Sequence, residues 1–206
     1  MFARLTFFFF LLLIAVPARA ETLRYMVGDL DVLPLHYGTN DLHISGDDLL
    51  IVRGVFETGT AWGGDVYTVL IKNGDAWEMV RYEKNGWSGV LTKTQPHTFE
   101  DSIVTVRFMV PKGTSKSGNV SSLYVLKAAR PYLQNAAGKT DPEARETPAN
   151  FTLYVLQRDK DFGIPYLHEV ARARSKNKYC NADWAVWREL GVTLPDNSGT
   201  YECVGE

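Results

Sequence analysis

The residues able to do chemistry fall into a few short groups. His36, Asp41, His43, Asp47 and Asp48 crowd one stretch, and imidazoles with carboxylates at that density are metal-ligand types. Their spacing follows no coordination motif with a defined mechanism, so they read as polar residues in loops between short strands and no metal is assigned. Asp159-Lys160-Asp161-Phe162-Gly163 sets two acids before a glycine, but the further oxygen ligands and closing glutamate of a calcium loop are missing. It reads as a solvated turn. Ser175 and Lys178 form a Ser-x-x-Lys pair, yet no Lys-Thr-Gly follows, and Lys112-Gly113-Thr114 has its last two residues reversed. Neither a Gly-x-Ser-x-Gly elbow nor a His-x-x-x-His zinc pair occurs, and no carboxylate pair stands out among the 24 acids. No catalytic residue is therefore named. Binding chemistry is better represented: Ala61-Trp62-Gly63-Gly64-Asp65 and Asn85-Gly86-Trp87-Ser88-Gly89 each hold a tryptophan among glycines. An exposed indole on a β scaffold is a flat platform for a ligand, so Trp62, Asp65 and Trp87 are the candidate binding residues.

The elements that must position these groups are mostly β. Short β-branched and aromatic runs recur between Gly, Asn, Asp and Pro, predicting strands at Leu49–Phe56, Val66–Lys72, Trp77–Tyr82, Ile103–Val110, Ser122–Ala128 and Phe151–Gln157. Shorter extended pieces are expected at Leu23–Val27 and Leu42–Ile44. Asn73-Gly74-Asp75-Ala76 predicts a hairpin between the second and third runs. Both faces of those runs are partly apolar, as in central strands. A short helix is expected after Cys180, capped by Asn181 or Asp183, with Trp184, Trp187 and Leu190 on one face and Gly191 ending it. A helical turn or two is expected around Tyr166–Arg174. Pro111–Ser121 and Gln134–Asn150 have loop composition, the latter marking a candidate subdomain break. The fold class expected is an antiparallel β-sandwich or β-rich sheet domain with a short C-terminal helix.

The first twenty residues read as an address. One positive charge, an apolar run from Phe7 to Val16 and small residues before Glu21 form a secretory signal with cleavage after Ala20. The apolar run is about half the ~20 residues a membrane span needs. Residues 21–206 then form a single β-rich domain outside the cytoplasm, periplasmic or secreted. Without Arg4 and Arg19 that domain carries 20 basic and 24 acidic residues, a net charge of −4, which gives no electrostatic reason to bind nucleic acid. No cofactor is implied. The two cysteines, Cys180 and Cys203, are expected to pair in an oxidising compartment. That bond would staple the short helix and contribute about 3 kcal/mol in the chain-entropy view.

Five stretches resemble the CarG-like family, exported proteins associated with intrinsic resistance to carbapenem antibiotics. They are Gly38-Thr39-Asn40-Asp41-Leu42, Leu50-Ile51-Val52-Arg53-Gly54, Gly63-Gly64-Asp65-Val66-Tyr67-Thr68, the run from Asp101 to Phe108, and the run from Ser175 to Asp183. The resemblance implies a periplasmic, β-rich protein that protects its host without the β-lactamase motifs, by binding a small-molecule β-lactam. It carries over no ligand-contacting residue. Two other functions fit the residues alone: a cell-envelope module binding glycan or protein through Trp62 and Trp87, and an extracytoplasmic hydrolase using carboxylates the sequence does not single out.

Overall fold

The computed structural model describes residues 20–57, 62–82, 90–96, 103–114, 119–131 and 146–193. At Glu57, Trp62, Gly63, residues 90–96 and Asn119 it describes the backbone only. Among the described residues twelve strands form one hydrogen-bonded sheet: β1 (Leu30–Val32), β2 (Gly38–Ile44), β3 (Asp47–Glu57), β4 (Trp62–Asn73), β5 (Ala76–Met79), β6 (Arg81–Tyr82), β7 (Val90–Pro96), β8 (Val104–Pro111), β9 (Asn119–Val120), β10 (Tyr124–Ala129), β11 (Thr147–Arg158) and β12 (Pro165–Tyr179). The order along the path is β6-β12-β11-β10-β8-β7-β4-β3-β2-β9, with β1 beside β8 and β5 beside β4. Most pairings are antiparallel; β2 with β9 and β6 with β12 are parallel.

The path bends back on itself at β7, which meets β8 through one pair, Thr94 with Val104. Two layers result. Ile44, Leu49, Ile51, Tyr67, Val69 and Ile71 from β2–β4 pack against Val106, Phe108, Val110, Val125, Tyr154 and Leu167 from the other layer. Because side chains alternate along a strand, the opposite face of β8, β10, β11 and β12 needs its own cover. It is supplied by helix α1 (Ala20–Gly28) and by α2 (Ala182–Ala185) running into a π-helical turn (Val186–Leu190). Ala20, Leu23 and Val27, at helical spacing, and Val186 and Leu190 meet Met109, Leu126, Phe151 and Leu153 there. Truncating a fully buried Phe151 in this layer should cost about 3–5 kcal/mol.

The turns explain the registers. Ser45 and Gly46 both have positive φ (52° and 90°), the two-residue turn that suits a twisted hairpin from β2 to β3. The predicted Asn73–Ala76 hairpin is present, with Gly74 at φ 60°. β4 is a central strand as expected, flanked by β3 on one side and β5 and β7 on the other. The run predicted as one strand at Trp77–Tyr82 is two, separated at buried Val80, whose N–H donates to the Val69 carbonyl at 2.8 Å.

Two expectations are corrected. Leu23–Val27 is helical rather than extended, because Ala20, Leu23 and Val27 make a stripe that only a helix can turn toward the core. Tyr166–Arg174 is strand, part of β12. Its buried residues step from Leu167 to Ala171 and Ala173, and a bulge around Val170, where Leu153 pairs Ala171 and Tyr154 pairs Glu169, turns them from the inter-layer core to the helix-side core. The predicted strands at Leu49–Phe56, Val66–Lys72, Ile103–Val110, Ser122–Ala128 and Phe151–Gln157 are β3, β4, β8, β10 and β11, and Leu42–Ile44 lies in β2. Within Gln134–Asn150, Thr147–Asn150 already belongs to β11; positions up to 145 lie outside the described residues. Among the described residues no helix is long and apolar enough to cross a membrane.

Candidate functional site

Asp65, near the start of β4, is the candidate binding residue whose side chain the structure places. Arg53 faces it diagonally from β3, since Arg53 pairs with Tyr67 and Asp65 with Val55. Its Nη2 donates to Asp65 Oδ2 at 2.8 Å, and its Nη1 donates to the Leu35 carbonyl at 2.7 Å. Tyr67 Oη donates to the same Oδ2 at 3.1 Å, and Tyr37 Oη donates to Oδ1 at 3.1 Å. One carboxylate therefore receives three donors from three segments. The Arg53 guanidinium lies 4.2 Å from the centre of the Tyr37 ring, in cation–π contact. Tyr67 in turn packs on Phe108 of the opposite layer, ring centres 5.3 Å apart. The cluster closes one end of the inter-layer core.

The loop before β2 is fastened to this cluster by Asn40, which is buried. Its Nδ2 donates to the carbonyls of His36 (2.9 Å) and Ile51 (3.1 Å), and its Oδ1 accepts the His36 N–H at 3.0 Å. These bonds set Tyr37 across Arg53, where 58% of Tyr37 is exposed. Burial, then the Asp65 charge, raises the Tyr67 phenol well above its ordinary pKa, and the same two causes in the same order raise Tyr37. Burial opposes the charge on Arg53, but Tyr67 and Asp65 outweigh it and hold the guanidinium above its usual value. The arrangement presents a fixed aromatic face on a fixed cation. Asp65 does not offer a free carboxylate; it positions the other members.

Trp62 opens β4, its backbone paired with Pro96, three residues before Asp65. Trp87 lies outside the described residues. Sequence reasoning selected Asp65 for its place beside a glycine-rich tryptophan and missed Tyr37, Arg53 and Tyr67. The signal available was a charge inside apolar alternation: Arg53 continues the buried parity of Leu49 and Ile51, and Asp65 continues that of Tyr67 and Val69. Apolar alternation broken by opposite charges on adjacent strands points to a buried pair.

A second cluster repeats the chemistry on the helix side. Arg107 Nη2 donates to Asp183 Oδ1 at 2.6 Å and Thr105 Oγ1 donates to the same oxygen at 2.5 Å. Asn181 is the helix cap, its Oδ1 accepting from the N–H groups of Asp183 (2.8 Å) and Trp184 (3.2 Å). Asp183 is thus spent on the sheet, not on the cap. It fastens α2 to β8. Cys180 is buried at the end of β12, and Cys203 lies outside the described residues. Beyond α2 the π turn adds a residue per turn and rotates the predicted apolar face: Leu190 enters the core, whereas Trp187 is 40% exposed with Arg188 over its ring at 4.7 Å.

The remaining candidates separate. His43 Nδ1 sits 3.0 Å from Asp48 Oδ1, and that contact lowers the pKa of Asp48. Asp47 faces Arg158 at 3.3 Å, and His36 belongs to the Asn40 loop. Among the described residues no three His, Cys, Asp or Glu side chains gather as metal ligands. His43 does border an open cleft of about 490 Å³ with Ser45, Gly46, Val120 and Ser121. Asp159 makes the expected turn, its Oδ1 accepting from Asp161 and Phe162. Ser175 Oγ accepts from the Ala149 N–H at 2.8 Å and donates to the Asn177 carbonyl at 2.6 Å, stitching a β12 irregularity rather than awaiting a substrate.

No family model and no curated protein sequence matches this chain. A solved structure does: the crystal structure of CarG superposes with a TM-score of 0.57 at 16% identity, over 79% of this chain and 99% of that one. The chain has a CarG-like fold.

Proposed function

We propose that this chain is an exported, non-enzymatic binding protein that protects its host against a carbapenem-type β-lactam. The observation that carries the reading is a convergence. The fold is similar to CarG over nearly all of that chain, and the five CarG-resembling stretches meet in two places. Asn40, Arg53, Asp65 and Tyr67 come together in one cluster, Thr105, Arg107, Asn181 and Asp183 in the other. In this proposal the Tyr37–Arg53 face receives the ligand: its cation meets the drug carboxylate and its ring the bicycle. Residues 1–20 direct export, and Cys180 and Cys203 pair beyond the membrane to staple the helical layer.

Expression in a sensitive host, with and without residues 1–20, tests the reading. The full chain should raise the carbapenem concentration needed to stop growth, and the leaderless form should not; equal susceptibility sinks it. With purified protein, the drug should perturb tryptophan fluorescence or raise Tm while staying intact by chromatography. Drug turnover would instead indicate a hydrolase. Polysaccharide pull-down lost in Trp62→Ala, without any drug effect, would indicate an envelope-binding module. The disulfide is checked by mass: the unreduced protein should be lighter by two hydrogens and resist alkylation.

A further inference from the structure

The outer edge of β12 is largely unpaired among the described residues. β11 pairs with this strand along its length, but on its other side β6 meets only Tyr166 and Leu167. Among the described residues no further strand pairs with β12 from His168 to Tyr179; within that range the Asn177 N–H donates to Glu189 Oε1 at 3.4 Å. Unpaired N–H and C=O groups on such an edge are a template for an added strand. Register places Arg172 opposite Thr152, Arg174 opposite Asn150 and Lys178 opposite Pro148, so all three cations share one face of the strand. Lys127 of β10, opposite Thr152, joins them. Arg172, Arg174 and Lys178 are exposed. Glu169 is the acid on this face, and it is already bonded to Arg172 at 2.6 Å.

We propose that this edge takes an extended acidic segment of a partner protein as an added β-strand. Backbone hydrogen bonds along β12 would hold the segment, and acidic side chains recurring every second residue, about 7 Å apart, would face Arg172, Arg174 and Lys178. The same charges exclude a second copy of this chain. Two β12 edges paired about a two-fold axis would set one row of cations against the other, which is unfavourable directly across strands.

The test measures fluorescence anisotropy of the full chain with a labelled octapeptide of alternating glutamate and threonine. Binding should be saturable and should fall at least about tenfold in Arg174→Glu/Lys178→Glu, since each reversal turns an attractive cross-strand pair into a repulsive one. Arg174→Gln/Lys178→Gln should weaken it less, and both variants should keep the parental circular dichroism and Tm. A peptide N-methylated at alternate residues keeps its charge but loses the outward N–H donors, and it should also bind at least tenfold more weakly. Equal binding of the methylated peptide, or equal competition by dextran sulfate or single-stranded DNA, would overturn strand addition in favour of a general polyanion surface. Sedimentation as a dimer that the Glu substitutions abolish would overturn it in favour of self-pairing.

Discussion

The two buried Arg–Asp clusters use the same parts to different ends. In each, one aspartate receives an arginine and hydroxyl donors across strands or layers. The Asp183 cluster is sealed, its arginine and aspartate side chains 11% and 6% exposed, and it joins a helix to a sheet. The Asp65 cluster ends in the exposed Tyr37 ring, its arginine 21% exposed, and it holds a surface in place. An ion pair shut away from water is a fastening whose loss strands a charge. One reached by water at its edge can lose a partner more cheaply while its visible member stays available.

That contrast can be broken by substitution. Asp183→Asn leaves Arg107 charged and buried, and should cost about 3–5 kcal/mol in urea unfolding. Asp65→Asn should cost less, about 1–3 kcal/mol, because the remaining donors are closer to solvent. Equal losses would mean the two clusters are energetically alike and the distinction fails. Asn181→Ala removes only the cap and should cost about 1 kcal/mol.

A smaller effect sharpens the comparison by pH. Tyr67 and Tyr37 have raised pKa values through burial and Asp65, and Tyr179 is pushed up to about 12 by burial and its hydrogen bond to Glu189. A pKa raised on folding gives stability that is fully present below about pH 10, the ordinary tyrosine value, and is lost as pH rises through the folded values. Unfolding free energy should therefore decline in alkali. In a tyrosinate absorbance titration, Asp65→Asn should bring Tyr67 and Tyr37 forward and leave Tyr179 where it is; a common shift of all three would signal general loosening instead. Tyr37→Ala should move stability least, by under about 0.5 kcal/mol, while abolishing the carbapenem response proposed above.

Much of the β framework was legible because period-two alternation and turn residues are local signals. Asn73–Ala76 announced its hairpin, and Asn181 with Gly191 bracketed the C-terminal helix, where Gly191 adopts φ 72°. β12 was not legible as a strand: between Leu167 and Tyr179 its buried positions are alanine and serine rather than large apolar residues, and the bulge at Val170 moves them from one face of the sheet to the other. α1 was hidden by a short stripe next to the expected cleavage point. Of the site, Asp65 was visible but its partners were not. Tyr37 lies 28 residues from Asp65, and Thr105 lies 78 from Asp183. No local pattern encodes such pairs; they follow from how the sheet folds over.

The two parallel pairings at the ends of the strand path carry a kinetic consequence. β2 meets β9 by joining His43–Ile44 to Asn119–Val120, and β6 meets β12 by joining Arg81–Tyr82 to Tyr166–Leu167. Each closes a long stretch of chain for two residue pairs, so each must wait until the hairpins between them have shortened the search. Refolding should be slow, milliseconds to seconds, as in other sheets dominated by non-local pairs. Amide exchange should run the same order backwards, with the two closures opening before the β3–β4 and β10–β11 ladders.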